Sequence, residues 1–261
     1  MSRRRPSLAV VIPAALGVAL VGLPLLGLLQ RAAWSSLAHD LTSDASLDAL
    51  RLSLATSIAA TAVALALGLP LAWVLARTDL PGRSVLRALV LLPMVLPPVV
   101  GGVALLSAFS LRSPLGGWLH DAFGIQLTFS PAGVVLAEAF VALPFFVLTV
   151  EAALRQADDR YEQVAATLGA SPTATFRRVT IPTIAPALIA GAVLAWARAL
   201  GEFGATITFA GNVAGRTRTL PLAVYLSLES DPDAAIALSL VLLAVSFVVL
   251  VGLRDRWMGR S

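Results

Sequence analysis

Apolar runs of membrane-spanning length alternate with short polar segments along the whole chain. A helix needs about 20 apolar residues to cross the hydrocarbon of a bilayer. Six stretches reach or approach that length, at residues 8–29, 54–76, 86–109, 133–150, 183–209 and 236–253. The pattern predicts an all-α, polytopic membrane protein with six transmembrane helices. One polar segment between the fourth and fifth runs, residues 158–182, is unlike the other connections. Asp158 and Asp159 suit the start of a helix running through Tyr161 to Leu168. Gly169 supplies the left-handed residue that ends it. Ser171 is a good N-cap and Pro172 fits the first helical position. The punctuation predicts a second, short helix over about 172–180 that displays Phe176, Arg177 and Arg178, with Pro182 and Pro186 opening the next span. Its apolar face is small (Ala174, Phe176, Val179), which suits docking to a protein better than lying on a lipid surface.

Composition sharpens this picture. The 261 residues are 58% hydrophobic and 13% charged, against about 25% charged in soluble domains. Cysteine is absent, which removes disulfides, thiolate metal ligands and thiol nucleophiles together. All 19 basic residues are arginine. Without lysine the chain has neither a P-loop, whose lysine reaches the phosphates, nor a Schiff-base nucleophile. If ATP drives the protein, a separate ATPase subunit must bind the ATP and its Mg, and no cofactor is expected in this chain.

The arginines flank apolar runs, so the net charge of +4 reads as membrane topology and not as nucleic-acid binding. With the N-terminus inside, Arg3, Arg4, Arg5, Arg77, Arg83, Arg87, Arg155, Arg160, Arg177, Arg178, Arg254, Arg256 and Arg260 are cytoplasmic. Arg31, Arg51, Arg112, Arg216 and Arg218 are external, and Arg198 lies within a span, a division of 13, 5 and 1. Both termini, and residues 151–182, are therefore expected in the cytoplasm. Arg3-Arg4-Arg5 resembles the start of a signal peptide, but the apolar run behind it is longer than a signal core. It is read as an uncleaved first span. Residues 30–50, with candidate caps at Ser46 and Asp48, and residues 111–132 are expected as external loops. The stretch 210–235 is apolar enough in its middle to fold back against the spans.

The spacing from Gly169 through Val179 and Ile181 to Pro182 resembles the EAA loop of importer-type ABC permeases: Glu-Ala-Ala, three residues, Gly, nine residues, then Ile-x-Leu-Pro. Gln163-Val164-Ala165 stands where Glu-Ala-Ala is usual, with the glutamate displaced to Glu162. The resemblance implies a type I ABC importer permease fold, with Gly169, Ala170, Ser171, Pro172, Phe176, Arg177 and Arg178 coupling it to the ATPase subunit. It also implies a homodimer with the pore between two copies, two ATP-binding cassette subunits on the cytoplasmic face and an external oxyanion-binding protein, in a bacterial plasma membrane. The expected layout is a first span and external loop over 1–49, a permease core over 50–253 that includes the coupling segment 158–182, and a tail over 254–261.

The fifth span carries ARALGEFGATITFAGN, followed by GRTRTLPLAVY, and the third carries LLPMVLPPVVGGVALL. These resemble the molybdate/tungstate permeases, whose GEFGAT-type and TLPLAIY-type sequences recur. Sulfate permeases carry GEYG in place of Gly201–Gly204, and a sulfate or thiosulfate permease is the nearest alternative. A secondary transporter would show inverted repeats, and an intramembrane enzyme would need HExxH, GxSxG or a cysteine; none is present.

Arg198 and Glu202 are four residues apart, which lets them pair on one helix face. Ionisable groups in spans face a bundle interior or an aqueous path, so two readings stand: a lining of the oxyanion's route, or an ion pair that fixes packing. Glu138, in the fourth span, has no evident partner. Pro97-Pro98 with Gly101-Gly102 interrupts the third span, either as a hinge on the translocation path or as a kink absorbed by packing. Thr206, Thr208 and Asn212 are candidate neutral donors near the outer mouth. The GxxxG at Gly211–Gly215 falls in an expected loop, and His39 and His120 lack metal-ligand spacing.

Overall fold

The structure is a computed structural model that describes residues 7–252. Arg3, Arg4, Arg5, Arg254, Arg256, Arg260 and the tail 254–261 lie outside the described residues. All regular structure among the described residues is helical. In chain order the helices are α1 (Leu8–Gln30), α2 (Leu37–Thr42), α3 (Asp44–Arg77), α4 (Arg83–Val95), α5 (Pro98–Phe109), α6 (Pro114–Phe123) and α7 (Pro131–Gln156). There follow α8 (Arg160–Thr167), α9 (Pro172–Thr175), a π-helical turn (Phe176–Thr180), α10 (Ile181–Leu200), α11 (Gly204–Phe209), α12 (Leu220–Ser230) and α13 (Pro232–Gly252). Five helices are long and apolar enough to cross a membrane, and α4 with α5 makes a sixth, broken span.

The centre of the fold is the pairing of α3 with α7, on which α10 packs. Helix α3 turns Ala49, Ser53, Thr56, Ala60, Ala64, Gly68 and Ala72 inward. Small residues repeated at three- and four-residue spacing let two backbones approach closely, which is how helices associate where no hydrophobic effect operates between them. Into this seam α7 inserts Phe146, only 1% exposed. A Cβ on Gly68 of α3 would stand 2.7 Å from Phe146 Cδ1, and one on Gly191 of α10 would stand 3.1 Å from Phe146 Cδ2. The ring therefore fills notches on two helices at once. Val147, Val150, Leu154, Ile184 and Ala195 continue the core around it.

Several expected boundaries move, each for a local reason. The second span begins at Asp44 because Ser43, not Ser46 or Asp48, is the cap: its side chain accepts from the Ser46 N–H at 3.3 Å. Residues 114–123 form a helix, capped by Ser113 and started by Pro114, within the expected external loop. The third span is bent by 118° between Val95 and Pro98, far more than a kink. The fifth span stops at Leu200 and resumes as α11, so Glu202 lies beyond the helix end. The stretch after it folds back as expected: Leu220 and Ala223 of α12 pack with Ala49 and Leu238. Gly211 and Gly215 are turn residues at positive φ. Helix α1 buries none of its residues in this chain.

Because Phe146 joins three spans, its truncation has a defined consequence. Phe146→Ala is expected to destabilise the folded chain by about 3–5 kcal/mol through the cavity left behind. Thermal unfolding of the detergent-solubilised protein measures this, and an unchanged midpoint would contradict the packing described.

Candidate functional site

Two regions hold the candidate residues. The first is at the arginine-rich end, where α3 and α7 finish and α4 starts. Helix α8 begins where Asp158 Oδ1 accepts the Arg160 N–H at 3.0 Å. It ends at Gly169, whose φ of +82° is the left-handed conformation that costs an L-residue about 1–2 kcal/mol. Ala170 follows, and the Ser171 hydroxyl accepts the Ala174 N–H at 3.3 Å, with Pro172 at the first helical position.

Residues 172–180 are helical as expected, and Pro182 falls in the first turn of α10, but no break separates the two. Residues 172–200 form one continuous helix. Proline inside a helix lacks a donor and its ring collides with the carbonyl four residues back. Here the π-helical turn over Phe176–Thr180 relieves that collision, with the Ile181 N–H reaching back five residues to the Phe176 carbonyl. Phe176 is half-buried at this turn, and Arg177 and Arg178 are exposed. Those two arginines line a cleft of about 500 Å³ with Ser171, Thr173 and Ala174.

The protruding element is therefore α8 and its glycine turn. Its outer face carries Tyr161, Val164 and Leu168, which are 64%, 57% and 83% exposed. Their i, i+3, i+7 spacing puts them in one row. Their helical spacing is visible in the sequence, but spacing alone does not distinguish an exposed row from a buried one. Glu162 faces inward: its Oε1 accepts from Thr180 Oγ1 at 2.8 Å and lies 3.7 Å from Arg77 Nη2. Arg77 also pairs with Asp159. The displaced glutamate thus ties α8 to the π-helical turn and to the foot of α3.

The second region is where the two broken spans meet. Pro97 caps α5 and Pro98 begins it. A Cβ on Gly204 would stand 2.6 Å from Pro98 Cβ, and one on Gly102 would stand 2.6 Å from Thr208 Cβ and 2.9 Å from the Ala205 carbonyl. Helices α5 and α11 thus touch through glycine on each side. Phe109 and Phe209 close the contact edge to face at 6.4 Å.

Glu202, 1% exposed, stands between the halves of the fifth span. Its Oε1 accepts the Ala205 N–H at 2.7 Å and its Oε2 lies 2.5 Å from Arg198 Nη2. Thr208 Oγ1 donates back to the Gly204 carbonyl at 2.8 Å, and Asn212 Oδ1 accepts from Arg218 Nε at 3.0 Å. Of the three candidate neutral donors, Thr208 thus spends its proton locally, whereas Asn212 is engaged through its oxygen and keeps its amide N–H groups. Thr206 is fully buried and its hydroxyl has no partner within the described residues. Glu138 does have a partner across the seam: Thr56 Oγ1 donates to its Oε1 at 3.0 Å, from 82 positions away in sequence. No group of three or more His, Cys, Asp or Glu able to hold a metal occurs among the described residues.

Six spans with two stacked breaks and a capped helix held outside them define a membrane-embedded transport component. The chain belongs to the family of binding-protein-dependent transport system inner membrane components, whose family model matches residues 68–260. The molybdenum transport system permease protein ModB of Mycobacterium tuberculosis is 50% identical over 249 residues, 95% of this chain and 93% of that protein. The sulfate transport system permease protein CysT of Salmonella typhimurium is 43% identical over 181 residues, 69% of this chain and 65% of that protein. A crystal structure of a bacterial alginate ABC transporter, in complex with alginate pentasaccharide-bound periplasmic protein, superposes with a TM-score of 0.75 over 94% of this chain and 91% of that one. At 17% identity that likeness establishes the ABC importer permease fold alone.

Truncating one member of the Arg198–Glu202 pair strands the other. Glu202→Ala is expected to lower stability by about 3–5 kcal/mol. The double change Arg198→Met with Glu202→Met is expected to recover most of the loss, because it removes both charges. Thermal unfolding of the three variants checks this, and a double variant as unstable as Glu202→Ala would refute it.

Proposed function

We infer that this chain is the membrane-spanning permease subunit of an ABC importer that carries molybdate, or tungstate, across a bacterial plasma membrane. The observation that carries the substrate reading is the 50% identity to a molybdenum transport permease over nearly the full length of both chains. The observation that carries the coupling is the exposed row Tyr161, Val164 and Leu168 on α8, held out by the Gly169 turn. An apolar row in a polar, arginine-rich setting suits a groove on an ATPase subunit, because burying it removes large side chains from water.

In this reading two copies of the chain enclose the pore. Two ATP-binding cassette subunits sit below them, holding the ATP and Mg, and an external oxyanion-binding protein delivers substrate from the other side. The arginine distribution supports placing α8 and both termini in the cytoplasm. Closure of the ATPase pair would draw the two α8 elements together and turn the spans outward, and hydrolysis would reset them. Residues 1–49 supply the first span and external loop, 50–253 the transport core and 254–261 a cytoplasmic tail. Pro97, Pro98, Glu202 and Thr206 mark the gate through the stacked breaks. Gly169, Ala170, Ser171 and Pro172 shape the docking turn, with Phe176, Arg177 and Arg178 flanking it.

Sulfate is the second reading, favoured by the 43% identity to a sulfate permease. Competition separates the two. In vesicles holding the full importer, ATP-driven uptake of labelled molybdate should be suppressed by excess tungstate and not by sulfate; suppression by sulfate would transfer the assignment. The docking surface has its own test. Leu168→Asp and Gly169→Val are expected to leave membrane insertion intact while cutting uptake by about tenfold or more, a loss of at least about 1.4 kcal/mol of coupling. Unchanged uptake in both would remove α8 from the interface.

A further inference from the structure

At the arginine-rich end, polar side chains from four helices and the π-helical turn form two clusters, which the last turn of α3 joins. The first starts on α8, where Asp159 and Glu162 flank Arg77 of α3 and Glu162 also holds Thr180. Two residues before Arg77, the Leu75 carbonyl accepts from Arg155 Nη2 of α7 at 2.8 Å. Arg155 Nε donates to Glu151 Oε1 at 2.9 Å, and the same oxygen pairs with Arg87 of α4. The path therefore runs from α8 through the ends of α3 and α7 to α4, the first half of the broken span.

Three features distinguish these clusters from incidental surface pairs, which contribute little. Glu151 is 5% exposed and Arg77 is 14% exposed at their side chains, so solvent screens them weakly. The bond from Arg87 to Glu151 is, among the described residues, the one side-chain hydrogen bond that joins α4 to another span. Finally, Arg77 Nε and Nη2 and Arg87 Nε are buried without hydrogen-bond acceptors. Buried donors are nearly always satisfied. Spare donors on both end arginines are what a network needs if it is to exchange partners between two arrangements, and such an exchange is the physical requirement for passing a displacement on.

We propose that these two clusters, with the last turn of α3 between them, transmit movement of α8 to α4 and so to the 118° bend that opens on Pro97 and Pro98. Arg77 and Glu151 are their positioning residues: one holds α8 to α3, the other holds α4 to α7. The proposal rests on the reading of α8 as the ATPase dock. It adds that docking alone does not move the gate, and that an intact polar path within this chain is also needed.

The test uses the complete importer in vesicles, measuring molybdate uptake per ATP hydrolysed, the amount of ATPase subunit that copurifies, and thermal stability. Arg77→Ala and Glu151→Gln are expected to retain the ATPase subunit and basal ATP hydrolysis. Uptake per ATP should fall about fivefold or more, the range in which coupling between sites ordinarily lies. A merely structural role would lower assembly and hydrolysis together and leave the ratio unchanged, which would overturn the proposal. Should Arg77→Ala fail to assemble, Glu162→Gln removes charge at the same link while keeping its shape, and a normal ratio in that variant is equally fatal. A wild-type complex that hydrolyses ATP without taking up molybdate would instead overturn the functional reading on which the relay rests.

Discussion

A helix break at membrane depth leaves backbone N–H and C=O groups with no water to meet them, and it survives only where protein covers it. This chain has two such breaks, between Val95 and Pro98 and between Leu200 and Gly204, and each covers the other. The cover depends on glycine at both contact points: Gly204 lies against Pro98, and Gly102 lies against Thr208 and Ala205. Glu202 then takes the Ala205 N–H that the break exposes, and Arg198 balances the charge. Much of the remaining architecture serves this contact. Helix α7 supplies the shelf of Ala137 and Val141 under Leu105, Ala205 and Phe209, and α3 holds α7 in place through its small-residue seam. Because α5 and α11 meet backbone against backbone, neither can tilt without the other.

Charged groups occur at both ends of this arrangement and do different work. Near the break, one carboxylate and one guanidinium close a gap in the backbone ladder. At the arginine-rich end, three carboxylates and three guanidiniums join elements distant in sequence. Buried ion pairs are poor sources of net stability, because desolvation offsets the attraction, but they are strong sources of unique geometry. An apolar contact of equal area would hold α4 to α7 with less regard to register. A carboxylate shared between Arg87 and Arg155 fixes both the distance and the rotation of the two helices.

Much of this was legible in the sequence where the physics is local. The apolar runs announced the spans, the alternation of caps and glycine announced the turn at 169–172, and the paired prolines announced an interruption in the third span. What escaped was set by tertiary partners. Thr56 meets Glu138 across 82 positions, and Arg87 meets Glu151 across 64; no spacing rule connects them. Pro182 opens α10 as its position suggests, yet a single wider turn before it lets the helix run on from 172 without a break. The apolar row on α8 was visible at helical spacing, but only its exposure separates a docking face from a buried one. Thr208 differs for a local reason: a hydroxyl on a helix readily bonds its own backbone and then has no proton free for a substrate.

The exclusive use of arginine bears on how the polar path can exist at all. A lysine ammonium is a compact point charge on a flexible stem, whereas a guanidinium presents five donors on a rigid fork. Arg155 uses that fork to hold Glu151 and the Leu75 carbonyl together, which lets one side chain tie α7 to α3 while engaging the carboxylate that anchors α4. Arg77 likewise faces two carboxylates of α8 at once. Branched contacts of this kind gather six charged side chains into two clusters on either side of the last turn of α3. A guanidinium also keeps its charge in partly buried surroundings where an ammonium readily loses its proton. Arginine at these positions therefore suits a polar path between the solvent-side helix and the broken span better than lysine would.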